Sequence, residues 1–492
     1  MERQIRLVGL VLTVAFLAVF GMLNYVQFFE AKTIAGNNAN RRSIIAEYSI
    51  KRGDITTLDS VTIARSHETD GDLKYAREYP EGELYAHITG FYSFIYGTAG
   101  IEAAYNDELL GDSGVVSIQD IEDKLFGSGE QGDDVKLTIH SELQQLARDS
   151  LGDQQGAVVA LDPHSGEVRA MWSNPTYDPN PLASFDPGEA KKYRNTLDPK
   201  SASSPLVRKS TSRSYPPGST FKVVTTAAAL ESGEYTPRST FPNPQALDLP
   251  LTDDTLTNFS KTACTTNPET GELDLFTALV FSCDTTYAKL GLEIPDQLQE
   301  TAEQFGFNDT IPFDLSADAS TFPEVPDDEE PLRAFAGIGQ GDVAATPLQM
   351  ALVAAAIAND GDVPRPRIVR EITDPSGGIV ERFSPETIDE AVSSDTAAEL
   401  TEMMVGVVAN GTGTAAQIEG LEVAGKTGTA QNVAGEAPHA WFIAFAPADD
   451  PELAVAVLVE KGGTLGSEAT GGEIAAPIAK AILERDRQLR GW

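Results

Sequence analysis

Apolar residues run almost without interruption from Leu7 to Leu23, with Arg3 and Arg6 before them and Tyr25 shortly after. The run is at the short end of the length needed for a membrane-spanning helix, but it is sufficient. A cleaved signal peptide is the alternative, although no small-residue cleavage pattern follows the run. We therefore expect an uncleaved signal anchor within residues 1–30. The basic residues ahead of it predict a cytoplasmic tip and an extracytoplasmic remainder.

Strand-like runs occur early and late in a long downstream region, with helical patterns between them. Gly156–Leu161 and Gly166–Met171 flank a turn and predict a hairpin. Near the end, Ala440–Phe445 and Leu453–Leu458 flank a Pro/Asp turn, and an amphipathic helix is expected from Ile474 onward. Strands at both ends with helices between them predict an antiparallel sheet assembled from both ends of an α+β domain.

The region between the apolar run and this domain has a different texture. Residues 31–132 are polar and mixed, with short strand-like pieces such as Ser43–Tyr48 and Leu84–Ile88. A stretch rich in glycine and acidic residues, Gly127–Asp134, is typical of a linker. We predict a small, non-catalytic mixed α/β module over residues 31–132 and a larger domain over residues 133–492.

Composition narrows the function classes. The chain has 492 residues, 41% of them hydrophobic, and a formal net charge of -38. Such an acidic balance argues against nucleic-acid binding, which requires clustered Lys and Arg. The five histidines are scattered without ligand spacing. We therefore expect neither a zinc site nor a bound cofactor.

Three short motifs follow one another along the large domain: Ser219-Thr-Phe-Lys222, Ser282-Cys-Asp284 and Lys426-Thr-Gly428. Each is weak alone, but their order and context strengthen the signal. The first follows Tyr215-Pro-Pro-Gly218 and opens an apolar helical stretch, and the last lies in the strand-like run Val423–Ala430. Together they resemble the motifs of the penicillin-interacting serine acyltransferases, which build one active site.

The first motif has the residues of an activated nucleophile. On a helix, Ser219 and Lys222 share a face because they are three residues apart. A serine hydroxyl needs a base, and Lys222 serves as one only when burial or a nearby charge, such as Lys426, keeps its amine neutral. We expect backbone N–H groups near Ser219 to stabilise an oxyanion. A serine cap followed by a solvated lysine is the alternative.

The third motif resembles the edge strand against which penicillin-binding proteins lay their substrate, so we expect Lys426 to line the site. Antiparallel pairing to this strand would bind a peptide through main-chain hydrogen bonds. By the resemblance, Thr427 and Thr429 offer hydroxyls for a carboxylate, and the Thr429 N–H is a second oxyanion donor. We expect Gly428 to allow close backbone approach.

The second motif departs from the family pattern. Ser282 matches the serine that relays protons, but position 284 is usually Asn, whose amide both donates and accepts. An ionised Asp284 only accepts, and it can instead pair with a lysine and keep it charged. We place Asp284 among the substrate-binding residues; a plain helix start at Ser282-Cys-Asp is the alternative. In an oxidising compartment, Cys264 and Cys283 are expected to form a disulfide, with two free buried thiols as the alternative.

The resemblance is to class B penicillin-binding proteins of the actinobacterial penicillin-binding protein A group, because residues 31–132 are too short for the glycosyltransferase domain of class A. It implies a five-stranded antiparallel sheet between a helical lobe and terminal helices. It also implies a membrane-anchored D,D-transpeptidase that acts on peptidoglycan stem peptides and is acylated by β-lactams. Residues 31–132 would form a pedestal or dimerisation-type module, and a glycosyltransferase and divisome or elongasome proteins would be partners.

Two other functions remain open from the sequence. A D,D-carboxypeptidase or β-lactamase-like hydrolase on the same scaffold would pass the acyl group to water. A β-lactam or muropeptide sensor, or a catalytically weak scaffold, would bind without efficient turnover, and Asp284 is the residue that best supports it.

Overall fold

The computed structural model describes residues 2–25, 45–71, 73–111, 131–326, 329–431 and 436–492. In chain order its strands are β1 (Ile55–Thr56), β2 (Thr62–Glu68), β3 (Tyr75–Glu78), β4 (Tyr92–Ser93), β5 (Gly97–Thr98), β6 (Asp134–Leu137), β7 (Gly156–Leu161), β8 (Val168–Asn174), β9 (Thr240–Phe241), β10 (Ala246–Asp248), β11 (Thr255–Thr257), β12 (Leu273–Asp274), β13 (Asp362–Pro364), β14 (Val369–Thr373), β15 (Ile379–Arg382), β16 (Thr387–Glu390), β17 (Ala424–Ala430), β18 (His439–Ala446) and β19 (Leu453–Val459). Its α-helices of four or more residues are α1 (Glu2–Tyr25), α2 (Ala86–Thr89), α3 (Ile101–Ala104), α4 (Asn106–Leu109), α5 (Ser141–Leu151), α6 (Asn180–Ala183), α7 (Pro187–Thr196), α8 (Lys222–Glu231), α9 (Leu275–Val280), α10 (Asp284–Glu293), α11 (Pro295–Gln304), α12 (Pro331–Ala336), α13 (Pro347–Ala358), α14 (Ser394–Asn410) and α15 (Ala476–Arg490).

A five-stranded antiparallel sheet forms the centre of the large domain. Its strand order is β17-β18-β19-β7-β8, so the sheet combines the start and the end of the domain. Every residue of β7, β18 and β19 is buried, which requires cover on both faces of the sheet. Helices α5 and α15 pack together against the sheet, and so do α13 and α14. The predicted sheet and fold class are confirmed.

A helical lobe lies beside the edge strand β17. Helix α8 is buried from Lys222 to Leu230 and packs on α10, α11 and α14. A 3-10 turn at Gly218–Phe221 leads into α8 and contacts β17. The lobe therefore sets the start of α8 against the outer strand of the sheet.

A second sheet joins strands from both sides of residue 132. Its order is β15-β14-β6-β1-β2-β3, so strands before and after residue 132 share one hydrogen-bonded sheet. Beside it, the buried carboxylate of Glu102 lies 2.5 Å from the guanidinium of Arg52 and 2.6 Å from that of Arg77. The division into residues 1–30, 31–132 and 133–492 stays a prediction, and the sheet crosses its second boundary.

Two short strand predictions are wrong. Leu84–Ile88 lies in a 3-10 turn, Gly82–Tyr85, followed by α2. Every residue from 84 to 89 is buried. The run is therefore apolar because it is enclosed on all sides, and it does not have the alternation of buried and exposed side chains that a half-buried strand shows. Residues 45–47 form a helical turn rather than a strand, and residues 43–44 lie outside the described residues. Of the predicted linker, residues 127–130 lie outside the described residues, and its last residue, Asp134, begins β6.

The N-terminal apolar run forms α1. Its segment Arg6–Tyr25 has a mean hydropathy of 2.3 and is exposed along its length, so it is long and apolar enough to cross a membrane.

Candidate active site

Ser219 lies in the 3-10 turn between β17 and a glycine loop. In such a turn, side chains three residues apart eclipse one another, which directs Ser219 and Lys222 to the same side. The N–H of Gly218 donates to the carbonyl of Gly339 at 2.9 Å. On the other side, a Cβ added at Gly218 would lie 3.0 Å from the carbonyl oxygen of Thr429. The half-buried Ser219 is thus held between two rigid backbones.

Lys222 is fully buried and is the centre of a hydrogen-bonded cluster. Its Nζ donates to Asp284 Oδ1 at 2.6 Å and to the carbonyl of Ser282 at 2.9 Å. It also lies 3.3 Å from the hydroxyl of Ser282. Among the described residues none hydrogen-bonds the Ser219 hydroxyl, which leaves the predicted nucleophile open to a substrate.

Ser282 joins the two motif lysines. Its Oγ accepts from Lys426 Nζ at 2.9 Å as well as from Lys222, so both amines meet at one hydroxyl. Ser282 lies between α9 and α10 with a φ of 60°, a conformation that costs a non-glycine residue about 1–3 kcal/mol. Such strain is tolerated where a side chain must point at a site. Asp284 does begin a helix, α10. A plain helix start, however, would not explain why both motif lysines meet at the hydroxyl of Ser282.

Burial disfavours charge on both lysines, but to different extents. Desolvation lowers the pKa of Lys222, and the charge of Asp284 offsets part of that shift. Desolvation, together with the charge of Lys222, lowers the pKa of Lys426 well below its ordinary value, with Asp284 opposing. We expected Lys426 to carry charge and keep Lys222 neutral. The ion pair instead favours the charge on Lys222, because only Lys222 contacts the carboxylate.

Strand β17 presents the third motif at the sheet edge. As the outer strand of the sheet, it has one edge without a partner strand in this sheet, where an extended peptide can pair. The carbonyl of Thr427 already accepts from Lys426 Nζ at 3.0 Å. Thr427 Oγ1 lies 2.6 Å from Thr412 Oγ1, and Thr429 Oγ1 accepts weakly from Gly471 N at 3.4 Å. Both hydroxyls therefore have partners within the protein before any ligand arrives.

The structure gives a different reason for glycine at position 428 from the one that the sequence suggested. A Cβ there would lie 2.9 Å from both the carbonyl oxygen of Pro217 and the Cγ2 of Thr220. The close approach that Gly428 allows is therefore that of the turn carrying Ser219, so the residue sets the distance between the first and third motifs.

The second oxygen of Asp284 is also engaged. Asp284 Oδ2 accepts from the backbone N–H of Phe259 at 3.0 Å, while Oδ1 contacts Lys222. Because both oxygens have partners in the protein, the geometry favours a positioning role for Asp284 over the predicted contact with substrate. Cys264 and Cys283 are joined as a disulfide with a Cα–Cα distance of 5.8 Å, next to this carboxylate.

Sequence reasoning missed a buried group behind the nucleophile. Tyr215 OH donates to Glu460 Oε1 at 2.5 Å, and Lys209 Nζ lies 2.7 Å from the same oxygen. All three side chains are buried, and Tyr215 opens the loop that ends at Ser219. Glu460 is 245 positions from Tyr215, and no local pattern signals such a pairing. Gly339, by contrast, lies in a local glycine-rich run, Gly337–Gly341.

Comparison with known proteins places this arrangement in a family. The family model for the penicillin-binding protein transpeptidase domain matches residues 156–484. A second, described as the penicillin-binding protein A dimerisation domain, matches residues 52–135. Together they cover most of the exported chain.

Relatives match over nearly the whole length. The peptidoglycan D,D-transpeptidase PbpA of Mycolicibacterium smegmatis is 38% identical over 98% of this chain and 98% of its own. The protein of the same name from Mycobacterium tuberculosis is 39% identical over 96% of each chain. The solved ceftriaxone acyl-enzyme complex of M. tuberculosis penicillin-binding protein A matches with a TM-score of 0.84 at 38% identity, covering 89% of this chain and 99% of that one. The chain therefore belongs to the penicillin-binding protein transpeptidase family, in the class B group of penicillin-binding protein A.

Proposed function

We propose that this chain crosslinks peptidoglycan stem peptides as a D,D-transpeptidase and that Ser219 is its acyl-carrying nucleophile. The observation that best supports this assignment is the buried cluster in which Lys222 and Lys426 meet at the hydroxyl of Ser282, beside the turn that carries Ser219. Two desolvated amines and a relay hydroxyl next to an open serine are the groups that proton transfer during acylation requires.

In the acylation step, Ser219 Oγ attacks the carbonyl carbon of the penultimate D-Ala, and its proton passes to Lys222 in the molecules whose Lys222 amine is neutral, the form that burial favours and the ion pair with Asp284 opposes. Backbone N–H groups of Ser219 and Thr429 stabilise the oxyanion. The amide bond to the terminal D-Ala then breaks, and the proton passes through Ser282 to the departing amine. A β-lactam follows the same path, but its leaving amine stays attached to the acyl group.

In the second step an acceptor amine replaces the departed D-Ala. The amine attacks the ester carbonyl, a new amide bond forms, and Ser219 recovers a proton that the amine gives up. We assign the donor stem to the outer edge of β17, where main-chain pairing orients the scissile bond. Thr427 and Thr429 lie on that strand as candidates for binding the terminal carboxylate, and Lys426 lines the site beside them as a hydrogen-bond donor to Ser282.

We assign membrane attachment to α1, with the catalytic domain on the extracytoplasmic face. Residues 31–132 would act as a non-catalytic pedestal or dimerisation-type module. A glycosyltransferase and divisome or elongasome proteins are the partners that this module is proposed to contact. The length and hydropathy of Arg6–Tyr25 support the attachment.

The test separates amine transfer from hydrolysis. The exported part is incubated with a peptide ending in D-Ala-D-Ala and a D-amino acid as acceptor, and the products are resolved by mass spectrometry. The proposal predicts release of D-Ala and formation of the exchanged peptide, both lost in Ser219→Ala. Glu231→Gln, at the last residue of α8, whose carboxylate accepts from Ser393 Oγ at 2.7 Å, controls for general damage to the helix. A shortened peptide without exchange would establish the hydrolase instead.

A further inference from the structure

Glu460 anchors the loop that leads into the turn carrying Ser219. Its Oε1 accepts from the hydroxyl of Tyr215 at 2.5 Å, and Lys209 Nζ lies 2.7 Å from the same oxygen. All three of these side chains are buried. Because Glu460 directly follows β19, the contact joins the end of a central strand to the first residue of the loop, 245 positions earlier in the chain.

The hydroxyl of Tyr215 is bound to a carboxylate and not to a carboxylic acid. Burial raises the pKa of Glu460, but Lys209 and the hydrogen bond from Tyr215 outweigh burial and hold that pKa below its ordinary value. Desolvation lowers the pKa of Lys209, and Glu460 opposes that shift. A hydrogen bond to an ionised acceptor is roughly twice as strong as one between neutral groups. The Tyr215 ring is therefore held more firmly than a neutral acceptor would hold it.

The backbone of Tyr215 does not fix the loop by itself. It pairs with Ala345 in an isolated bridge, with N–H to carbonyl distances of 2.9 Å and 2.8 Å. A single bridge leaves the loop able to rotate about it. The bond from the ring to Glu460 removes that freedom, because Glu460 belongs to a different element.

Two prolines carry the position of Tyr215 forward to Ser219. The ring of a proline restricts φ to about -65°, so Pro216 and Pro217 absorb a displacement less easily than other residues. On the way, the carbonyl of Pro216 accepts from Trp441 Nε1 at 3.0 Å. The loop is therefore stiff, and a shift of the Tyr215 ring moves the nucleophile.

We propose that Glu460 is a positioning residue for the acylation step and that it sets the place of Ser219 Oγ through the hydroxyl of Tyr215. A misplacement of about 1 Å can cost on the order of a hundredfold in rate. The effect therefore falls on the rate constant of acylation within the complex, and the affinity of the complex is spared. This inference rests on the function proposed above and deepens it.

Tyr215→Phe tests the proposal with the smallest change, since it keeps the ring and leaves Glu460 paired with Lys209. The full chain in detergent is mixed rapidly with penicillin G over a range of drug concentrations. This separates the acylation rate constant from the dissociation constant of the noncovalent complex. We expect the rate constant to fall about tenfold and the dissociation constant to change by less than about twofold.

The matched control is Tyr177→Phe. Tyr177 is also buried, and its hydroxyl donates to the carbonyl of Ala86 at 3.1 Å, away from the three motifs. Its acylation rate constant should stay within about twofold of that of the unaltered chain. An unchanged rate constant in Tyr215→Phe would overturn the proposal, and so would a loss that lies in the dissociation constant.

A background without the buried charges tests the part played by Glu460 itself. Lys209→Met together with Glu460→Gln removes both charges at once, so neither is left without its partner. Tyr215→Phe is expected to cost less than about threefold in that background. The same tenfold cost in both backgrounds would overturn the proposal, because the hydroxyl would then act without the carboxylate.

If that background fails to fold, Glu460→Asp supplies the comparison, since it keeps the charge and withdraws the accepting oxygen from Tyr215. It is expected to reproduce the tenfold loss in the acylation rate constant, and an unchanged rate constant would overturn the proposal. Failure of the proposed function has a different signature: the unaltered chain would then take up no penicillin on Ser219.

Discussion

Asp284 is the residue at which this chain departs from its family's usual motif. Its carboxylate holds the amine of Lys222 at 2.6 Å in a site where Lys222 is fully buried. Burial lowers the pKa of Lys222, while the charge of Asp284 works in the opposite direction. Two effects therefore act in opposite directions on Lys222, the proposed base. Desolvation favours its neutral amine, and the ion pair with Asp284 favours its protonated amine.

Replacement of Asp284 is expected to shift this balance. In Asp284→Asn the negative charge is gone, so the pKa of Lys222 falls further and the neutral base exists at lower pH. The rate of acylation rises with pH as the base loses its proton. We therefore expect the midpoint of this rise to move to lower pH, measured as penicillin acylation rate against pH.

Glu293→Gln is the matched control, because Glu293 pairs with Lys289 at 3.2 Å on the surface of the same helix. Its pH profile should match that of the unaltered chain. A midpoint in Asp284→Asn that stays in place or moves upward would show that the ion pair does not set the basicity of Lys222.

At the residue scale the motif side chains could be predicted, but their partners could not. Ser219, Lys222 and Lys426 were identified because each lies in a short pattern with a chemical reason. The sequence left open which lysine Asp284 would pair with. That choice depends on the left-handed backbone at Ser282, which turns the motif loop towards α8 and which no neighbouring residue signals.

At the element scale, the turn that carries Ser219 depends on the loop beneath it. Gly339 has a φ of 68°, and a Cβ there would lie 2.3 Å from the carbonyl oxygen of Gly218 and 2.5 Å from the Cβ of Phe221. Neither atom can yield easily, since one belongs to the backbone and the other to a buried side chain. The loop thus fixes the position of the 3-10 turn relative to β17.

Gly339→Ala is expected to displace the turn and to lower the penicillin acylation rate by about tenfold or more. Gly377→Ala is its control: Gly377 has a φ of 87° but nothing within 4 Å, so it meets the same backbone strain without the clash. Acylation in the control should stay near that of the unaltered chain. Equal effects in the two variants would mean that backbone strain, and not contact with the turn, controls the rate.

The disulfide acts at the same scale by closing 19 positions of chain next to the second motif. Reduction would release residues 258–264 and with them the N–H that Asp284 Oδ2 accepts. Dithiothreitol is expected to slow acylation and to lower the free energy of unfolding by about 3 kcal/mol, both measured before and after treatment.

The double variant Cys264→Ser with Cys283→Ser supplies the comparison. Dithiothreitol should leave its acylation rate unchanged, and that rate should match the rate of the reduced chain. If dithiothreitol also slowed acylation of the double variant, its effect would not come from reduction of this disulfide.

Strands that form long apolar runs in the sequence were predicted well, whereas short elements without a distinctive residue pattern were not. The runs behind β7, β18 and β19 are long and apolar because both faces of the sheet are covered, and such runs are visible in the sequence. The run Leu84–Ile88 looks similar, but it is enclosed against residues of the large domain, with Gln144 and Tyr177 donating to its carbonyls, and folds as helical turns. An apolar run of five residues does not separate these two cases.

At the scale of the whole molecule, one long-range sheet joins the module to the catalytic domain. Strands β1 and β6 pair across the predicted boundary, and β14 comes from beyond residue 360. Pairings of this kind, like the buried contact of Lys209 with Glu460, join residues far apart in sequence, so only the folded chain reveals them. The fold class was predictable from element order, whereas the sharing of a sheet between modules was not.

Membrane attachment also belongs to this scale. The chain has a net charge of -38, and α1 is the described helix that is long and apolar enough to hold it at a bilayer. We expect the full chain to stay in the membrane fraction after alkaline carbonate extraction and to enter detergent. A variant that lacks residues 1–30 should be soluble and should still be acylated; release of the full chain by carbonate would contradict the anchor.

The central claim is that Ser219 carries the acyl group, and the mass of the drug-treated protein tests it most directly. The exported part is incubated with penicillin G, followed by intact mass over hours, and then digested to locate the adduct. We predict an increase of one drug mass that persists and maps to the peptide containing Ser219, and no adduct in Ser219→Ala. An adduct on another residue, or a chain that stays unmodified, would contradict the account.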